Sequence, residues 1–143
     1  MKLDKINWTN DLSIGNINID NEHKELIEIC NEMIDFIKLN RKELEFDKIL
    51  SKLIDYTWKH FRKEETYMLA LGYPKSTEHI QYHKDYNQKV ATYYDELFRS
   101  NPPEPIEIVK FLKNWWTNHI LHSDADFENH KKATQGTTTY SGF

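Results

Sequence analysis

Seven histidines are spread through the 143 residues: His23, His60, His79, His83, His119, His122 and His130. An isolated histidine is more often a partly buried or surface side chain than a ligand. Position changes that reading here. His60 and Glu64 stand four residues apart, as do His79 and His83, so each pair shares one helix face a turn apart. Two imidazoles offered from successive turns can hold one metal ion. Glu64 falls in an apolar stripe, where an unpaired carboxylate would be costly to bury and a metal removes that cost. The competing role for Glu64 is an ion pair with a neighbour such as Lys63, whose side chain would point elsewhere. Imidazole suits Zn, Cu, Fe and Ni, while mixed nitrogen and oxygen donors at high coordination number argue against tetrahedral zinc. Five imidazoles plus two carboxylates are too many for one ion and suit two ions bridged by the carboxylates. Cys30 follows His23 by seven residues on the same face, where a buried inert thiol outweighs a ligand role.

Five of these histidines fall on apolar stripes of helical period, and each of four expected helices carries at least one. In the first helix the stripe is His23, Leu26, Ile27, Cys30, Met33, Ile34 and Ile37, with Asp20 expected as N-cap and Asn40 and Arg41 as the end. The second begins near Glu45. It carries Phe46, Ile49, Leu50, Leu53, Thr57, His60, Glu64, Met68 and Leu71, and stops at Gly72 ahead of Pro74. A third starts near Lys75 to Ser76, with His79, His83, Tyr86, Val90, Tyr93, Tyr94 and Leu97 inward, and ends at Asn101 and the prolines. The fourth opens at Pro105 and carries Ile108, Phe111, Leu112, Trp115 and His119. No segment alternates like a strand. The expectation is an all-α, up-down-up-down four-helix bundle with an N-terminal extended arm. It is a single domain over 1–143, with the arm at 1–19, the bundle at 20–130 and a polar tail at 131–143.

Composition bounds the function. Hydrophobic residues make up 38% and charged residues 29%, too apolar for a disordered chain. A net charge of −4 without a basic cluster excludes nucleic acid as a natural partner. No apolar run approaches the roughly 18 residues of a membrane span. The first ten residues lack the apolar core of a signal peptide, so a cytoplasmic address is expected. A single cysteine excludes an internal disulfide framework.

Four segments, SIGNINIDNEHKEL (13–26), HFRKEE (60–65), HIQYH (79–83) and WWTNHILHSD (115–124), resemble the bacterial hemerythrins. The likeness runs from Trp8 to about Phe127. It implies that His79, His83 and His119 bind one iron and that His23 and His60 bind the other. Glu64 and Asp124 bridge the two irons together with a solvent-derived oxo or hydroxo group. The first iron is then six-coordinate and the second five-coordinate, and dioxygen binds end-on at the open position, taking one electron from each iron. Ferritin-like sites use Glu-x-x-His motifs and extra carboxylates for oxidation chemistry. No such pair occupies matching positions here, which favours reversible binding for oxygen storage, delivery or sensing over an enzyme. The alternatives are a di-iron peroxidase, a nitric oxide or peroxide scavenger, or a metal store on the same scaffold. The resemblance also implies Leu26, Phe61, Trp115 and Leu121 as the lining of a dry oxygen pocket. Trp116 is expected only to pack, and His122 and His130 to lie at the surface or behind the ligands. Phe127 stands where relatives often have tyrosine.

One feature of the fourth helix conflicts with regular geometry. Five residues from His119 to Asp124 turn the side chain about 140° past a full turn. Asp126 would return to the face of His119 but about 10.5 Å further along the axis, whereas paired metals lie about 3.5–4 Å apart. Either a π-bulge separates His119 from Asp124, or the helix ends near His122 and Asp124 reaches back from a loop. With no Gly or Pro from His122 to His130, the bulge is expected, with the helix running on.

Overall fold

A computed structural model describes residues 3–40 and 45–135. Its elements are a short 3-10 turn at Asn10–Leu12 and the helices α1 (Ile17–Lys38), α2 (Phe46–Leu71), α3 (Ser76–Glu96) and α4 (Pro105–Asn118). A π-helical turn at His119–Asp124 then joins α4 to α5 (Ala125–Gln135), so the fourth helix is one rod with a widened middle. The four rods form an up-down-up-down bundle, and no strand occurs among the described residues. Backbones pack closely along the α1–α2, α2–α3 and α1–α4 seams. Along the seam between α3 and the fourth rod they stand further apart, and long side chains fill it: Tyr86 against Trp115 at 4.3 Å and Tyr93 against Phe111 at 5.9 Å between ring centroids. Among the described residues no helix is long and apolar enough to cross a membrane.

The stops read from the sequence are partly those observed. Gly72 caps α2 with φ of 64°, a left-handed conformation that costs glycine little. The Tyr73 amide reaches back to Met68 O at 3.1 Å. Pro105 opens α4. Helix α1, however, starts at Ile17 rather than after Asp20. Asn16 is its cap, because the Asn16 Oδ1 accepts the amides of Asn18 at 3.1 Å and Ile19 at 3.2 Å. Asp20 instead turns back onto the arm, accepting from Ser13 Oγ at 2.5 Å and the Ile14 amide at 3.0 Å. Helix α1 ends at Lys38, with Asn40 left-handed at φ 50°; Arg41 lies outside the described residues. Helix α3 ends at Glu96, before Asn101, since beyond Leu97 nothing remains to bury and Phe98 is exposed. The rod after Asp124 continues to Gln135, past the expected bundle end at residue 130, with Lys131 buried. The rest of the expected tail, 136–143, lies outside the described residues.

Hydrogen bonds tie the arm down. Asn31 takes the Ile6 amide at 2.8 Å and gives to Ile6 O at 2.9 Å, and Lys113 Nζ donates to Asp4 O at 2.7 Å. Leu3, Leu12, Ile14 and Ile19 are buried beneath this strap, while Ile17 faces solvent. Deep in α1, burial pushes the Cys30 thiol up to about 12, so at neutral pH it is an uncharged, inert group. Two outcomes follow from these local structures. Asn16→Ala should destabilise the fold by about 1 kcal/mol, read by urea denaturation, because two first-turn amides lose their acceptor; an unchanged midpoint would place the cap elsewhere. Cys30 should resist a thiol-specific reagent at pH 8 until denaturant is added.

Candidate metal centre

The four rods deliver seven side chains to one place inside the bundle. Helix α1 brings His23, α2 brings His60 and Glu64, α3 brings His79 and His83, and the widened turn brings His119 and Asp124. Their donor atoms fall into two overlapping groups, each lying within 4.8 Å: Glu64, His79, His83, His119 and Asp124 in one, His23, His60, Glu64 and Asp124 in the other. Both carboxylates belong to both groups. Glu64 Oε1 lies 2.8 Å from His79 Nε2 and 3.0 Å from His83 Nε2, while its Oε2 lies 3.2 Å from His60 Nε2. Asp124 Oδ1 lies 3.0 Å from His79 Nε2 and 3.1 Å from His119 Nε2, and its Oδ2 lies 3.0 Å from His23 Nε2. Each carboxylate therefore spreads its two oxygens over the two histidine sets.

The widened turn makes this possible. The Ala125 amide reaches Ile120 O, five residues back, and the extra residue per turn brings Asp124 round to the face of His119. The helix runs on beyond it, as the absence of Gly and Pro required. Asp126 is not part of the cluster: it accepts from Tyr73 OH at 2.5 Å and pairs with Lys75 at 3.6 Å near the surface.

Charge in the cluster is unevenly held. Burial by itself would raise both carboxyl groups. Hydrogen bonds from His119, His60, His79 and His83 outweigh it at Glu64, which is held well below the usual carboxylate range. At Asp124 burial and the charge of Glu64 both push up, yet His119 and His23 hold the group low. Burial would lower the imidazoles, but hydrogen bonds donated to Glu22 and Glu64 push His60 up to about 10, and those donated to Asp124 and Glu64 push His79 up to about 10. His119 is raised, burial being outweighed chiefly by the charge of Asp124.

Hydrogen bonding within the cluster remains incomplete. His83 Nε2 and His119 Nε2 face each other at 3.1 Å, where only one can carry a proton. Both nitrogens of His23, Oε2 of Glu64 and both oxygens of Asp124 are buried without a well-aligned hydrogen bond, even where an imidazole nitrogen lies about 3 Å away, although buried polar groups are ordinarily well paired. Five inward nitrogens around two anionic carboxylates, several of them orphaned, fit a pair of divalent cations. Cys30 contributes to neither group.

Two residues that spacing did not reveal stand behind the imidazoles. Glu22 Oε1 lies 2.8 Å from His60 Nδ1, and Glu65 Oε2 lies 2.8 Å from His83 Nδ1. A carboxylate on the outer nitrogen fixes which nitrogen faces the metal and raises its basicity. Each pairing crosses between helices, so no interval within one helix signals it.

Aromatic rings close the walls. Phe61 stacks on His83 at 3.7 Å and Trp115 on His119 at 4.3 Å, while Phe127 meets His79 edge-on at 5.6 Å. Trp116, expected only to pack, lies 6.4 Å from His23 and 6.1 Å from His60, so it and not Trp115 walls the two-histidine side. Its Nε1 donates to Tyr86 OH at 3.0 Å. Leu26 and Phe61 are buried, but Leu121 is 38% exposed and lines no closed interior. The reason is rotation: two residues past His119 is about half a turn round the axis. His122 is exposed on the widened turn, and His130 is partly buried with its ring 5.3 Å from Tyr73.

Residues 15–129 match the sequence model of the Hemerythrin HHE cation binding domain. The bacteriohemerythrin of Pseudomonas aeruginosa is 32% identical over 120 residues, covering 84% of this chain and 77% of that protein. The bacteriohemerythrin of Clostridium acetobutylicum is 29% identical over 124 residues, covering 84% and 96%. Among solved structures, a leucine-to-alanine variant of a hemerythrin superposes with a TM-score of 0.78 at 26% identity, covering 87% of this chain and 95% of that one.

Metal removal gives the first test of the centre. Stripping the metal with a chelator should lower stability by about 3 kcal/mol or more, since ligand bound only to the folded state adds its binding energy to folding. A melting temperature unmoved by complete chelation would contradict a metal role for these side chains. Replacing Glu22 with Ala should weaken metal binding about tenfold, measured by competition with a calibrated chelator.

Proposed function

The chain belongs to the hemerythrin family, and from that premise we propose that it is a non-haem di-iron protein that binds dioxygen reversibly. His79, His83 and His119 would hold one iron and His23 and His60 the other, with Glu64 and Asp124 serving both, and a solvent-derived oxo or hydroxo group would complete the centre. When bound, the iron pair supplies the two electrons that dioxygen binding requires. The observation that carries the reading is the inequality of the two donor groups, five side chains in one and four in the other with both carboxylates common. The His23/His60 side thus has one protein ligand fewer than the other, and that is the side where a small diatomic ligand would find room.

The surrounding residues favour binding over turnover. Trp116 and Phe61 present ring surface toward His60. The one indole proton of Trp116 is committed to Tyr86 OH, away from the metals. A site without a nearby proton donor and with little water retains a bound oxygen molecule longer than one that can protonate it. Glu22 and Glu65 orient His60 and His83 and keep their inner nitrogens aimed inward. Oxygen storage, delivery or sensing are the roles this chemistry serves, and a cytoplasmic address accords with it.

Purified protein should contain two irons per chain, and the reduced protein should gain a visible absorption band in air that argon removes over repeated cycles. Loss of the band after one exposure, with continuous peroxide consumption, would point to the enzymatic alternative; one tetrahedral zinc per chain would end the di-iron reading. His60→Ala should bind one iron far more weakly, by well over about tenfold, and abolish the band.

A further inference from the structure

Metal can reach the centre only where the bundle wall is thin. His23, Glu64, His83 and Asp124 have no exposed surface. His79 and His119, 2% and 5% exposed, each line a surface cavity. The cavity over His79 measures about 240 Å³ and that beside His119 about 280 Å³. Both are walled by Tyr82, His122 and Ser123, so they form one groove between α3 and the widened turn. It follows the seam at which neighbouring backbones approach least, and the widened turn forms one of its banks.

The groove has the chemistry of a cation passage. Asp126 is engaged by Tyr73 OH and Lys75. Glu78, exposed in the same cavity, has no cationic partner among the described residues, and the exposed imidazole of His122 stands in it too. Carboxylate oxygen and imidazole nitrogen are the donor types used inside, so an ion crossing from water to the centre would meet like ligands throughout. Opposite the groove, α1 packs closely on both α2 and α4.

We propose that iron enters and leaves the bundle through this groove, with Glu78 and His122 as transient ligands that pass a divalent ion to His79 and His119. The inference rests on the di-iron reading above. Tyr82, 46% exposed and common to both cavities, narrows the passage. Passage in and out shares one path, so groups that stabilise the ion in transit speed both directions and leave the equilibrium content unchanged.

The test is the rate at which reduced, iron-loaded, full-length protein yields iron to an excess of a ferrous-specific coloured chelator, with iron content, spectrum and melting temperature recorded for each variant. The double substitution Glu78→Gln and His122→Ala should slow release roughly tenfold, the scale on which local charge alters ion access. Tyr82→Ala should speed it. Glu28→Gln, an exposed change on α1, should match the parent. Release at the parent's rate in the double variant, or rates that follow melting temperature instead of groove identity, would overturn the route while leaving the di-iron reading intact. A parent chain that binds no iron would overturn both.

Discussion

Two ionised carboxylates, Glu64 and Asp124, lie wholly out of water at the centre of the bundle, and the rest of the architecture answers the cost of putting them there. A buried charge without a partner costs several kcal/mol. Five imidazoles, drawn from all four rods, surround the two groups at distances near 3 Å. No single helix can supply that coordination, so the site exists only when the whole bundle is assembled. Metal binding would therefore be linked to folding: cations held by these side chains would neutralise the interior, and only the folded helices collect donors spread over about a hundred residues of chain.

The same constraint explains the one irregular stretch of backbone. A regular fourth helix would turn Asp124 away from His119, leaving Glu64 as the only shared anion. The π turn at His119–Asp124 gives up regular hydrogen bonding to place a second carboxylate between the two histidine sets. It also thickens the rod where it faces α3, and along that seam aromatic side chains, rather than close backbone packing, fill the space.

Much of this was legible in the sequence because it is written at short range. The four-residue intervals His60–Glu64 and His79–His83, the left-handed stop at Gly72 and the first-turn Pro105 are local signals. The misfit between His119 and Asp124 was legible for the same reason, since helical arithmetic alone exposes it. The features that escaped depend on neighbours distant in sequence. Glu22 reaches His60 and Glu65 reaches His83 across helix boundaries. Asp20, a good cap by type, lost that role to Asn16 because the arm needed its carboxylate. The resemblance implied Leu121 as pocket lining, yet half a turn of helix beyond His119 carries it to solvent, and Trp116 takes the inner wall. Lys131 looked like the start of a polar tail but is buried on a helix that runs on to Gln135.

A di-iron centre in this bundle requires Asp124 to share both metals with Glu64 across the widened turn. Anomalous diffraction at the iron absorption edge from crystals of the iron-loaded protein tests this most directly. The expected map has two peaks about 3.5–4 Å apart, each bonded to one oxygen of Glu64 and one of Asp124, with three imidazoles on one and two on the other. A single peak, or two peaks with Asp124 turned away and Asp126 in its place, would contradict it.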